Sequence, residues 1–230
     1  MLEFAPTGFE EVERGDQVEI ALYVDEVGEE SLRTVFPGAS STPVEPGWQE
    51  RWREFHRPVS VGGVWIGPPW EDVPCGGLVV VIDPGRAFGT GAHPTTRLCV
   101  ELLAAQSRGS VLDAGCGSGV VALAAVRLGF APVIAVDVDP VAVSIAGDNA
   151  TRNGVVLDAR LVDVLEEELP ATDLVVANIA LGAVEALLPR LRARRAITSG
   201  YLAGEAPVAG GWKIVEERVL DGWAAHVLDS

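Results

Sequence analysis

From residue 78 onward, short apolar runs alternate with amphipathic stretches. The runs VVVID, SVLDAG, VIAVD, VVLDARLVD, DLVVANI and AITSGYL are too short and too β-branched for helices and predict strands. Between them, HPTTRLCVELLAAQ, GSGVVALAAVRLG, DPVAVSIAGDNATRNG and LGAVEALLPRLRA place apolar residues at helical spacing. Punctuation supports this division. Gly129 stands where a helix ends, Asp139 where one is N-capped, Pro140 at its first position and Gly154 after its last turn. The chain closes with WKIVEERVL and WAAHVLD, joined by Asp221-Gly222, a strong hairpin signal. Strands alternating with helices imply a mostly parallel sheet covered on both faces, here with an antiparallel hairpin at its C-terminal edge.

The first 77 residues read differently. GFEEVE and QVEIALYVD predict two strands, followed by a short helical EESLRTVF that stops at Pro37-Gly38. Two strands and a helix bury little on their own. ASSTPVEPG reads as a linker, and WQERWREFHRP as a short helix with Trp48, Trp52 and Phe55 on one side. Trp65 and Trp70 follow, so four of the six tryptophans fall within residues 48–70, a packing segment more than a ligand cage. The division expected is a small α+β unit over 1–45, a linker and packing segment over 46–77, and the α/β domain over 78–230.

Composition narrows the classes. Of 230 residues, 48% are hydrophobic and 22% charged, which excludes wholesale disorder. No apolar run approaches the roughly 20 residues of a membrane span. MLEFAPTGFEEVE has neither a basic start nor a long apolar core, so no signal peptide is expected. Three cysteines without a CxxC pair suggest a reducing, cytoplasmic setting, and no metal site is expected. The net charge of −16 disfavours direct binding to nucleic acid and no membrane contact is expected. Residues 1–50 carry two basic and twelve acidic side chains, a net of −10, which suits a basic protein partner or simply a solvated surface.

The chemistry concentrates in VLDAGCGSGVVALAA, residues 111–125. A strand runs into Gly115-Cys116-Gly117-Ser118-Gly119 and a helix begins, so a ligand could approach the backbone beside a positive helix end. Taken alone, that loop suits a dinucleotide equally well. Two details favour another ligand: Asp113 precedes the loop, where it would repel a pyrophosphate and attract a cation, and the spacing is GxGxG rather than GxGxxG. Asp137 ends the next strand, 22 residues after Gly115, where a carboxylate can accept both hydroxyls of a ribose. Asp163, after the third strand, either reaches an adenine amino group or belongs to a surface turn.

Together these residues resemble a class I S-adenosylmethionine-dependent methyltransferase with a Rossmann-like sheet. With IDPGRAFGTGAHPTTRLC over 82–99 upstream and VVANI downstream, the chain more closely resembles the bacterial ribosomal protein L11 methyltransferase family. The likeness extends from about Trp48 to Ile179. It implies S-adenosylmethionine as cofactor, contacted at Thr96, Gly115, Asp137 and Asn178, with Asp113, Gly117, Asp163, Phe88, Gly89 and Thr90 as further candidates. Gly89 and Gly91 would let the FGTG loop cross the cofactor, with Phe88 covering an apolar face. Asn178 is the candidate catalytic residue, its carbonyl orienting an acceptor amine; His93 stands either as a base or as a helix cap. The implied reaction is methylation of a lysine or α-amino group of a protein, above all a ribosomal protein. The alternatives are the same chemistry on another protein or a small molecule, or cofactor binding without turnover. In that family the N-terminal domain is a ferredoxin-like βαββαβ unit, of which only the latter half is recognisable here, and the helix expected before WKIVEE is replaced by AGEAPVAGG.

Overall fold

The computed structural model describes residues 9–14, 17–22, 32–36, 38–41, 57–83 and 89–230. It divides into two compact units, Met1–Arg51 and Trp52–Ser230.

In the first unit, β1 (Phe9–Arg14) and β2 (Gln17–Leu22) form an antiparallel pair, with Phe9 opposite Leu22 and Arg14 opposite Gln17. Residues 32–35 are helical. The predicted helix carrying Trp48, Trp52 and Phe55 lies outside the described residues.

The second unit begins with a small sheet of β3 (Val59–Val61), β4 (Val64–Gly67) and β5 (Leu78–Val81). Strand β5 is the run expected to open the βαβα sheet. Instead it lies parallel to β4, with Val64 beside Leu78 and Gly67 beside Val81. An apolar run announces a buried strand but not its partner. Here the buried side chains Val64, Ile66, Val80 and Ile82 pack into the same core as the main sheet's first helices.

The main sheet has seven strands in the order β11-β12-β10-β9-β6-β7-β8. These are β6 (Val111–Ala114), β7 (Val133–Asp137), β8 (Asp158–Leu161), β9 (Leu174–Asn178), β10 (Arg195–Leu202), β11 (Lys213–Leu220) and β12 (Trp223–Asp229). Five of them run parallel, from β10 to β8, and β11 and β12 complete the edge antiparallel. The β11–β12 turn at Asp221 and Gly222, with φ 49° and 82°, has both residues left-handed, as a two-residue hairpin requires.

Helices α1 (Pro94–Ala104), α2 (Val120–Leu128), α3 (Pro140–Arg152) and α4 (Leu181–Leu187) cover the sheet. Successive strand residues alternate between its faces. Val111, Ala135, Val176 and Ile197 meet α1, α2 and α3, while Leu112, Val136, Val175 and Ala196 meet α4 and the chain after it. The central strands are apolar on both faces for that reason. Asp139 caps α3 as expected, its carboxylate accepting from Val141 N at 2.8 Å. No helix of the described residues is long and apolar enough to cross a membrane.

Candidate functional site

In an open parallel sheet, ligands lie beyond the carboxyl ends of the strands. Along that edge, β9 ends at Asn178, β6 runs into Gly115, β7 ends at Asp137 and β8 leads to Asp163. One cavity of about 450 Å³ spans all four, a volume typical of small-molecule sites. Thr96, Asp113, Gly115, Gly117, Asp137, Asp163, Asn178 and Gly89, eight of the residues singled out from sequence, line it.

The glycine loop makes the cavity floor. Gly115 has φ 77°, and a Cβ there would stand 2.5 Å from Ile179 Cγ2, so both the backbone angle and the neighbour demand glycine. Gly117 N donates to Asp137 Oδ2 at 2.9 Å, and Asp139 N donates to Asp137 Oδ1 at 3.0 Å. Each carboxylate oxygen thus holds one backbone amide and keeps acceptor capacity for a ligand. Asp137 organises the loop and the entry to α3, while Asp139 does the capping.

Asp113 lines the cavity from the end of β6 and is also buried: its Oδ2 accepts from Ala122 N at 2.9 Å, satisfying a free amide in the first turn of α2. Burial raises its pKa to about 7; the Ala122 hydrogen bond opposes that and the negative charge of Asp137 adds to it. Asp163 forms the turn that was one of its two expected roles, its Oδ1 accepting from Leu165 N at 2.9 Å, at a place where it also faces the cavity.

At the other end, Thr96 is buried in the first turn of α1. Asn178 Nδ2 donates to Thr96 Oγ1 at 3.5 Å, which leaves Asn178 Oδ1 as an acceptor. His93 serves as the N-cap of α1, its Nδ1 accepting from Thr95 N at 3.3 Å and lying 2.8 Å from Thr95 Oγ1. Its ring meets Trp223 edge-on at 4.8 Å, and burial lowers its pKa.

Of the FGTG loop, Gly89 lines the cavity and its carbonyl accepts from Ser118 Oγ. Thr90 is half-buried beside it but outside the wall, because the wall there is Gly89 itself. Phe88 lies outside the described residues. Gly91 is a packing glycine: at φ 90°, a Cβ would stand 2.4 Å from Ile66 Cγ2.

Sequence reasoning missed the apolar walls. Val138, Val162, Val164 and Leu165 line the end near β7 and β8, and Cys116, Ile179 and Ala183 the stretch towards β9. The valine at 138 and the VDVL stretch after β8 gave a signal, since apolar residues beside a strand-end carboxylate are what a purine face needs. Burial and the charges of Asp113 and Asp137 push the Cys116 thiol up, so it is a neutral wall group.

The donor set therefore has an order. An apolar slot adjoins a carboxylate that holds two backbone amides; next come the glycine backbone and a buried carboxyl, then a hydroxyl and an amide. Among the described lining residues there is no lysine or arginine, so none of these side chains neutralises a phosphate. The arrangement fits a nucleoside joined to an amino acid with cationic character.

The comparisons agree with that geometry. The pattern of the family described as ribosomal protein L11 methyltransferase (PrmA) matches residues 16–226. A ribosomal protein L11 methyltransferase of Symbiobacterium thermophilum is 39% identical over 220 residues, covering 88% of this chain and 72% of that one. One from Pelotomaculum thermopropionicum is 41% identical over 200 residues, covering 81% and 62%, and one from Escherichia coli is 40% identical over 183 residues, covering 77% and 62%. The crystal structure of a ribosomal protein L11 methylase from Lactobacillus delbrueckii subsp. bulgaricus superposes with a TM-score of 0.64 at 26% identity, covering 76% of this chain and 98% of that one. The chain thus spans between about half and three-quarters of the length of the curated relatives it matches.

Proposed function

Because this chain belongs to the ribosomal protein L11 methyltransferase family, we propose that it transfers a methyl group from S-adenosylmethionine to an amine of a ribosomal protein, L11 itself. The observation that carries the reading is the single cavity joining Asp137, the glycine loop, Thr96 and Asn178.

S-adenosylmethionine supplies an electrophilic methyl group on a cationic sulfur. The chain's part is to bind, orient and keep water away. Asp137 takes the ribose hydroxyls, and the walls at Val138 and Val162–Leu165 take the adenine, with Asp163 at its amino edge. Asp113 and the loop from Gly115 to Gly117 face the charged amino-acid portion, while Thr96 fixes the amide of Asn178. Asn178 Oδ1 then accepts from the incoming amine and aims its lone pair. A neutral amine in a water-poor site needs alignment more than a strong base. Desolvation favours that neutral form; its lone pair would bond the methyl carbon as the carbon–sulfur bond breaks, leaving S-adenosylhomocysteine as a neutral thioether, and the alkylated nitrogen would lose its proton to solvent. His93, committed to capping α1, is left out of this chemistry.

The target amine is a lysine side chain or an α-amino group. Residues 1–45, with most of the net negative charge in their neighbourhood, act as the recognition unit for a basic substrate, and residues 46–77 connect them to the catalytic domain over 78–230. Incubation of the full chain with radiolabelled S-adenosylmethionine and purified L11 should label the ribosomal protein, with mass spectrometry locating the methyl groups on amines. Asn178→Ala should lower turnover more than cofactor affinity. Label appearing only on other acceptors in a lysate overturns the choice of substrate. No heat with S-adenosylmethionine in calorimetry overturns the cofactor.

A further inference from the structure

The cofactor cavity is bounded on one side by Gly89, which belongs to no helix or strand. What holds it lies one layer behind the wall. Ser118, in the middle of the glycine loop, is 1% exposed and donates its hydroxyl hydrogen to Gly89 O. Ser118 is itself gripped from behind, since Asn149 Nδ2 of α3 donates to Ser118 O at 3.0 Å. The same side chain's Oδ1 accepts from Asp83 N at 3.2 Å, on the chain leaving β5. Asn149 is 2% exposed and carries no contact with the cavity.

The two ends of the connection from Asp83 to Gly89 are therefore tied to one amide, one directly and the other through Ser118. Neighbouring contacts brace the same place. Asn153, one helical turn on, exchanges hydrogen bonds with Val81 N and Val81 O at 2.8 and 2.7 Å, and Arg152 pairs with Asp83 at 3.1 Å. A carboxylate at 149 lacks the donor that Ser118 O needs, and an alkyl group lacks both functions, whereas the primary amide of Asn149 serves both partners at once.

We propose that Asn149, acting through Ser118, is a positioning residue for cofactor binding: it presets Gly89 against the glycine loop so that this wall stands before the ligand arrives. The proposal rests on the methyl-transfer reading above and adds to it a group remote from every reacting atom. Preorganisation of this kind shows in affinity, because a wall that must be ordered by the ligand lowers the ligand's net gain.

The test is a double-mutant cycle on the full chain, using S-adenosylhomocysteine calorimetry and amide hydrogen exchange of the ligand-free protein. Ser118→Ala removes only the hydroxyl; Asn149→Ala removes the amide. Each should raise the dissociation constant about tenfold, the worth of one hydrogen bond, and the double variant should match the worse single. Exchange at Gly89 and Gly91 should quicken in both variants, while the melting temperature of Ser118→Ala stays within a few degrees of the unaltered chain. A wild-type dissociation constant in Ser118→Ala, or effects that multiply to about a hundredfold in the double variant, overturns the proposal. If Asn149→Ala does not fold, Ser118→Ala decides alone through affinity and exchange. No heat with the unaltered chain overturns the methyl-transfer reading and the role in binding together, and is told apart because the exchange effect of Ser118→Ala then persists without it.

Discussion

Two polar groupings, one partly and one largely buried, stand on the main sheet. At the ends of β6, β7 and β9, Asp113, Asp137 and Asn178 each spend part of their hydrogen-bonding capacity on the protein and face a cavity with the rest. On β10 and β12, Tyr201 Oη lies 2.8 Å from Thr198 Oγ1 and 2.9 Å from His226 Nδ1, and His226 Nε2 lies 3.6 Å from Glu217. That second cluster looks chemically richer, with a phenol, an imidazole and a carboxylate in a row. Yet its buried members satisfy one another, and they line neither the cofactor cavity nor the two other main cavities of the described residues. Burial pushes the tyrosine up and the histidine down, so both stay neutral. Burial of polar groups marks function only where their capacity is left open to something else.

Substitutions can break this contrast at either cluster. The largest effect is expected at Asp137→Ala. Losing a charge-assisted, two-point contact should weaken S-adenosylmethionine binding by roughly 2–3 kcal/mol, about 30- to 150-fold in calorimetry. An unchanged affinity would make Asp137 only a turn residue. Tyr201→Phe should do the reverse. It leaves Thr198 Oγ1 and His226 Nδ1 with one partner fewer in a dry place, costing about 1–2 kcal/mol of stability in denaturant unfolding while cofactor affinity holds. A loss of affinity there would join the two clusters.

The subtlest test uses pH. Asp113 ionises near 3.8 when the chain is unfolded and near about 7 when folded. Between those values the folded chain keeps a proton the unfolded chain has lost, so this group's contribution to stability falls as pH rises through the window and is level above it. Asp113→Asn cannot titrate. Its melting temperature relative to the unaltered chain should therefore rise from pH 5 to pH 8, and a constant difference would show that the carboxyl ionises normally in the fold.

Much of this was legible in the residues, for reasons that differ by element. Asp139, Pro140 and Gly154 bound α3 through local backbone chemistry, and Asp221-Gly222 fixes the last hairpin in the same way. The strand-end carboxylates were legible because the motif places them. What escaped depends on contacts distant in sequence. Nothing in LVVV says that it pairs with VWIG rather than with the main sheet. Asn149 reads as an ordinary helix residue until Asp83 and Ser118 are seen on either side of it. Asp113 reads only as a ligand group because the sequence does not show the Ala122 amide that its carboxyl also holds.

One close approach sets a boundary on how this sequence can drift. A Cβ on Gly119 would stand 3.0 Å from the Ala146 side chain, so the glycine loop and α3 touch almost backbone to backbone. Position 146 is fully buried at that contact, and a larger side chain there would lever the loop, and with it Gly117 and Ser118, away from the helix that aligns them. Two small residues 27 positions apart thus form one packing unit. Growth at 146 has no compensating change at 119, which is already as small as chemistry allows.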